Sequence, residues 1–129
     1  MEIQLDTSTV PFSLEHTLRC GQLFRWKKLG DWWYGVVGDK VVKIRQIADK
    51  LKFRMFPEKT TAEFIKNYFR LDDNLPSILS QINKDEHIRR AIQHCHGLRI
   101  CRQQPWECLI SYICATYKNI PAIKNMILN

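Results

Sequence analysis

The chain has 129 residues, a length that suits one domain whose core can fold without disulfide or metal staples. Hydrophobic residues make up 45% of it, with four tryptophans, which excludes a disordered chain, and no apolar run nears the roughly 20 residues that span a bilayer. Its net charge of +7 points to a polyanionic partner, nucleic acid first.

The opening decapeptide MEIQLDTSTV has neither a cationic n-region nor an apolar h-region, so no signal peptide is expected. Five cysteines, an odd count with no C-x-x-C pair, predict a reducing compartment and free, mostly buried thiols. His94-Cys95-His96 with Cys101 matches no common zinc spacing, and neither metal nor cofactor is expected.

In chain order, Ser13 is placed to cap a short helix through Leu14, Glu15 and Leu18, which Cys20-Gly21 stops. Leu23–Lys27 reads as a strand and Leu29-Gly30-Asp31 as a turn. A second strand, Trp32–Val37, is followed by the hairpin signal Gly38-Asp39, where glycine supplies positive φ. Val41–Ile47 makes a third strand and Asp49-Lys50 turns the chain. Leu51, Phe53 and Met55 then alternate with Lys52 and Arg54, a clean period of two. The pattern predicts a four-stranded antiparallel meander, one face buried and the other wet with Lys43, Arg45, Lys52 and Arg54.

Pro57 closes the sheet, and Thr60-x-x-Glu63 forms a capping box for a helix from about Thr61 to Phe69, with Phe64, Ile65, Tyr68 and Phe69 as its apolar stripe. Asn74 or Asp73 caps the next helix, with Ile78, Leu79 and Ile82 inward. Asp85 caps a third, which ends at Gly97 as its C′ residue. Strands first and helices afterwards make an α+β fold.

Arg102–Asn119 organises the remainder of the chain. Pro105 suits a first helical turn, and Trp106, Leu109, Ile110, Tyr112 and Ile113 spread round the helix, predicting burial on nearly all sides. The helix ends in the polar elbow Thr116-Tyr117-Lys118-Asn119, where Asn119 caps a last helix with an Ile120, Ile123, Met126, Ile127 stripe. So short a helix is marginal alone, and its stripe calls for a partner surface outside the chain. The chain therefore reads as a fragment whose continuation is helical.

Three motifs fall in register: GQLFRW at Gly21–Trp26, YFRLD at Tyr68–Asp72, and GLRICRQQPWECL at Gly97–Leu109. Together they resemble the amino-terminal part of the 8-oxoguanine DNA glycosylase family over roughly residues 10 to 128. The resemblance implies a TATA-binding-protein-like antiparallel sheet with packed helices over residues 1–100. It implies the truncated start of a helical, helix-hairpin-helix domain over 101–129. It also implies excision of oxidised guanine from double-stranded DNA, with strand nicking by a lysine Schiff base that an aspartate assists. Both of those groups belong to the missing carboxy-terminal helical domain, so no catalytic residue is expected here, and neither Lys118 nor Lys124 stands in the nucleophile's place.

What carries over is recognition. The resemblance implies lesion contacts at Gly21, Cys114 and Ala115, and DNA contacts at Tyr117, Lys118, Asn119 and Ala122. The Gly21 carbonyl is expected to accept the N7 hydrogen that only the oxidised base carries; the N7 of normal guanine is itself an acceptor. Animal-type members carry an asparagine run where this chain has Tyr117-Lys118-Asn119, and a cytosine-reading arginine where it has Ala122. A plain helix-stop glycine and a surface tyrosine are the structural alternatives at Gly21 and Tyr117. In the wider alternative the chain is a non-catalytic nucleic-acid-binding or interaction module that uses the basic sheet face. The remaining expectations are a monomer, no membrane, and a cytoplasmic, nucleoid-associated site in a prokaryote or a nuclear one in a eukaryote.

Overall fold

The computed structural model describes residues 1–58 and 61–129. Its elements run β1 (Glu2–Gln4), α1 (Leu14–Arg19), β2 (Trp26–Leu29), β3 (Trp32–Val37), β4 (Lys40–Ile47), β5 (Lys50–Phe56), α2 (Ala62–Tyr68), α3 (Leu75–Ile82), α4 (Glu86–His94), α5 (Pro105–Ala115) and α6 (Ile120–Leu128). All strand pairings are antiparallel, in the order β1-β5-β4-β3-β2. The α+β class holds. No helix among the described residues is long and apolar enough to cross a membrane.

The meander follows from its turns. Gly30 and Gly38 take φ of 58° and 60°, the left-handed backbone that two-residue hairpins need. The third turn lies one residue earlier than the sequence suggests, at Ala48-Asp49, with Ala48 itself at positive φ. Alternation then divides the faces. Val42, Ile44, Leu51, Phe53 and Met55 are buried with Leu14 and Leu18 of α1 and with Ile65, Tyr68 and Phe69 around α2. Each such aliphatic or aromatic side chain contributes about 1.5–3 kcal/mol of burial.

Several expectations need correction. A fifth strand, β1, pairs with β5; it is only three residues long, too short for a period of two to show. The first meander strand is Trp26–Leu29, not Leu23–Lys27, because Leu23, Phe24 and Arg25 form an irregular loop that the Gln22 contacts hold. In α3 only Leu75 is buried, while Ile78 and Ile82 are exposed along a 310 Å³ groove shared with Leu98 and Ile100. The α4 helix is capped at Cys95, so Gly97 lies two residues past the cap; there its φ of +81° brings its carbonyl to the Ser13 N–H at 2.8 Å. Of the five free thiols only Cys101 is buried. Thr60 of the expected capping box lies outside the described residues; Thr61 stands at the N-cap without a side-chain bond.

The α5 helix is the largest departure. Its sequence predicts enclosure, yet only Ser111 is buried, with Trp106 65% and Tyr112 75% exposed. Its apolar residues occupy most of the circumference, and this chain covers only one side.

The remaining caps follow the sequence. Ser13 accepts from His16 N, Asn74 from Ser77 N, Asp85 from Ile88 N and Asn119 from Ala122 N.

Candidate functional site

The three motifs separated in sequence bind one another in space. Gln22 of the first reaches the third: its side-chain N–H groups donate to the Thr17 and Arg99 carbonyls at 3.1 and 2.7 Å, and its Oε1 accepts the Cys101 N–H at 2.9 Å. Gln103 returns the contact by donating to the Gln22 carbonyl at 2.9 Å. Trp26 Nε1 donates to the Tyr68 hydroxyl at 3.2 Å, which joins the first motif to the second. Arg102 forks onto the Asp72 carboxylate at 2.9 and 3.1 Å, joining the second to the third. That donation holds the Asp72 carboxyl below its ordinary range.

Two charged groups complete the frame. Arg99 is 2% exposed and donates to the Pro11, Arg70 and Asp73 carbonyls, tying the amino-terminal segment to the turn after α2. Arg25 pairs with Glu107 at 3.1 Å, fixing the loop against the first turn of α5. Trp26 is core and Arg25 a structural polar contact. Burial pushes the Tyr68 hydroxyl above its usual range and the Cys101 thiol up to about 12, so neither ionises near neutrality.

This frame holds Gly21. It follows the Cys20 cap of α1 at φ +90°, a backbone region that L side chains rarely adopt. Gly21 lines an open cleft of about 760 Å³ whose other wall is the first turns of α6, with Ile120, Pro121 and Lys124. A Cβ added at Gly21 would stand 3.5 Å from Ile120 Cδ1. The Gly21 carbonyl accepts no hydrogen bond among the described residues. Phe24, Lys27 and Lys124 also line the cleft, and the two lysines form no salt bridge among the described residues. None of these three stands out in the sequence as a cleft residue. The usable signal for Lys124 is its i,i+4 spacing from Ile120, which places both on one face of α6.

The structure brings Gly21 and the elbow's second helix together, but the other expected residues divide. Asn119 caps α6 through Ala122 N at 2.9 Å, and Ala122 is half-buried within that helix. Tyr117 stands clear of the protein, 102% exposed, at φ +56°. A bulky residue in left-handed backbone is strained, and such strain gathers at functional sites. Lys118 is exposed beside it. Cys114 and Ala115, half-buried at the end of α5, do not line the Gly21 cleft.

A family model described as the 8-oxoguanine DNA glycosylase, N-terminal domain, matches residues 4–109. The N-glycosylase/DNA lyase OGG1 of Arabidopsis thaliana is 30% identical over 122 residues, covering 89% of this chain and 33% of that protein. The N-glycosylase/DNA lyase of Saccharomyces cerevisiae is 32% identical over 127 residues, covering 88% and 34%. Among solved structures, MBOgg1 in complex with a low affinity DNA ligand aligns with a TM-score of 0.81 at 30% identity, over 95% of this chain and 42% of that one. The Clostridium acetobutylicum 8-oxoguanine glycosylase/lyase, bound to double-stranded DNA with cytosine opposite 8-oxoG, gives 0.78 at 28% identity, over 88% and 39%. The chain thus spans about a third of the length of the two named lyases.

Proposed function

This chain belongs to the 8-oxoguanine DNA glycosylase family, and from that premise we propose that it is the amino-terminal portion of an 8-oxoguanine DNA N-glycosylase and abasic-site lyase. It supplies lesion reading and part of the duplex grip. The carrying observation is Gly21: a glycine in left-handed backbone, lining a cleft, with its carbonyl left open as an acceptor. Oxidised guanine has an N7 hydrogen to donate there, whereas normal guanine would set acceptor against acceptor. Glycine also leaves the backbone bare for the approach of an extruded base.

In this reading residues 1–100 form the sheet domain, and residues 101–129 begin a helical domain that a carboxy-terminal segment completes. The exposed apolar face of α5 supports that division, since a monomeric protein rarely leaves Trp106, Tyr112 and Ile113 open together. The catalytic lysine and aspartate are assigned to that segment, so the chain alone does not excise.

Single-turnover assays on an oxidised-guanine duplex with borohydride trapping test both parts. The chain alone should give no covalent adduct, whereas the complete enzyme should give one. In the complete enzyme, Gly21→Ala should weaken excision more than duplex binding, because one lost hydrogen bond to a buried group costs about 1–3 kcal/mol. Equal losses on oxidised-guanine and abasic substrates would reduce Gly21 to a fold position.

A further inference from the structure

The outer face of the sheet carries cations set against one another. In the β4–β5 ladder Lys43 stands directly opposite Arg54, and Arg45 directly opposite Lys52. Directly opposed like charges, with Cβ atoms about 4.5–5.5 Å apart, destabilise a sheet. Alternation along the strands adds Lys50 to this face, and the sole carboxylate in any strand among the described residues is Glu2, 3.4 Å from Lys50 and 3.8 Å from Lys52. Buried within this array, Arg45 Nε has no hydrogen-bond partner among the described residues.

Nothing in the fold requires such an arrangement, because polar neutral residues would fill a wet sheet face equally well. A face that violates the cross-strand rule twice is tuned to an anion outside the chain. We infer that the outer face of the sheet is a second DNA-contact surface, which grips the phosphates of duplex DNA independently of the lesion. The choice of DNA as the anion rests on the function proposed above.

The aromatic residues decide between duplex and single strand. Lys43 Nζ lies 4.5 Å from the Trp32 ring centre and 5.4 Å from that of Tyr34, and the Arg45 guanidinium carbon lies 4.5 Å from Trp32. These rings hold cations in place rather than offering open faces for base stacking, so the surface reads backbone charge and not bases. It lies on the other side of the sheet from Trp26 and Trp33, whose side chains turn to the core and line the Gly21 cleft. Contact here therefore leaves the cleft free.

The test is fluorescence anisotropy of an undamaged labelled duplex against salt, using the chain and two variants. Lys43→Gln/Arg45→Gln/Lys52→Gln/Arg54→Gln removes the array, and Lys52→Gln/Arg54→Gln removes only cations that sit over no ring. Each phosphate contact contributes about 0.9 to the slope of log affinity against log salt, so the slope should shrink by about 3–4 in the first variant and about 2 in the second. Melting temperature should rise in both, because the opposed charges are gone. An unchanged slope in the double variant overturns the inference, as does tighter binding to a single strand or to polyglutamate than to duplex. In the complete enzyme the double variant should bind undamaged DNA less tightly while excision of a bound lesion persists. Loss of excision with Gly21→Ala in that background would test the lesion site alone, so the two readings fail separately.

Discussion

The Trp26 indole occupies the space where a side chain at Gly35 would stand: a Cβ there would overlap three of its ring carbons. The two residues face each other across the β2–β3 ladder, and Trp26 is held from its far end by the Tyr68 hydroxyl at 3.2 Å. Gly35→Ala must therefore displace the ring that joins the first motif to the second. Overpacking of this kind costs about 1–3 kcal/mol. A lower urea midpoint with an unchanged slope is the expected outcome. An unchanged midpoint would mean that the ring has room to slide.

Gln22→Leu should be as harmful, although Gln22 is only half-buried. It strips the Cys101 N–H of its acceptor and the Thr17 and Arg99 carbonyls of a donor. A buried group left unpaired costs about 1–3 kcal/mol. Amide exchange at Cys101 should quicken by at least about tenfold, more than in α4, which shares none of these bonds. Uniform quickening would assign the effect to global stability instead.

The sheet and the caps were legible because they rest on local rules: alternation, glycine turns, and Ser, Asn or Asp before a helix. Ser13, Asn74, Asp85 and Asn119 all cap as their neighbours in sequence suggest. The strand β1 was not legible, since three residues show no period and Ile3 owes its burial to β5 across the sheet. Burial of α5 was overstated for a similar reason. Periodicity reports which faces are apolar, and not whether the same chain covers them. At the site, Gly21 was reached through its motif, whereas its cleft was not. Phe24, Lys27 and Lys124 come together only when α6 folds back over the Gly21 loop.

Alkaline pH should weaken the fold through Cys101. Burial raises its thiol from an ordinary 9.0 to about 12, with the nearby Cys20 thiol adding to the rise. Below about pH 9 the thiol is neutral whether folded or unfolded, and this stabilisation is whole. Between 9 and 12 the unfolded thiol ionises and the folded one does not, so stability falls by up to about 1.4 kcal/mol per pH unit. Tyr68, also raised by burial, adds a second fall at higher pH. Cys101→Ala should remove the first component and, because the Cys101 thiol also raises Tyr68, lessen the second. Urea midpoints at about pH 8 and about pH 11, on either side of the ordinary thiol range, check this, and equal falls in the two proteins would rule Cys101 out.

Tyr117 combines a strained backbone with full exposure. At φ +56° a tyrosine is disfavoured where asparagine is tolerated, and its full exposure brings no packing in return. Tyr117→Asn should therefore raise stability by roughly 0.5–1 kcal/mol, a small gain by a stated mechanism. In the complete enzyme the same change should weaken the grip on damaged duplex, because an aromatic ring that stacks on a base is worth about 1–3 kcal/mol and every base offers a face to it. Tyr117→Phe should keep that grip. Since Ala122 has no side-chain donor, edge reading of the opposite base, worth about 1–3 kcal/mol per bidentate pair, is absent from that position. Excision opposite cytosine, thymine, guanine or adenine should then fall within about tenfold. Single-turnover rates over the four pairings decide it. A cytosine preference above about a hundredfold would place the reader elsewhere, at Lys118 or in a segment outside this chain, and Ala122→Arg would then add nothing. With the stacking account correct, Ala122→Arg should sharpen the preference for cytosine while Tyr117→Phe leaves it unchanged.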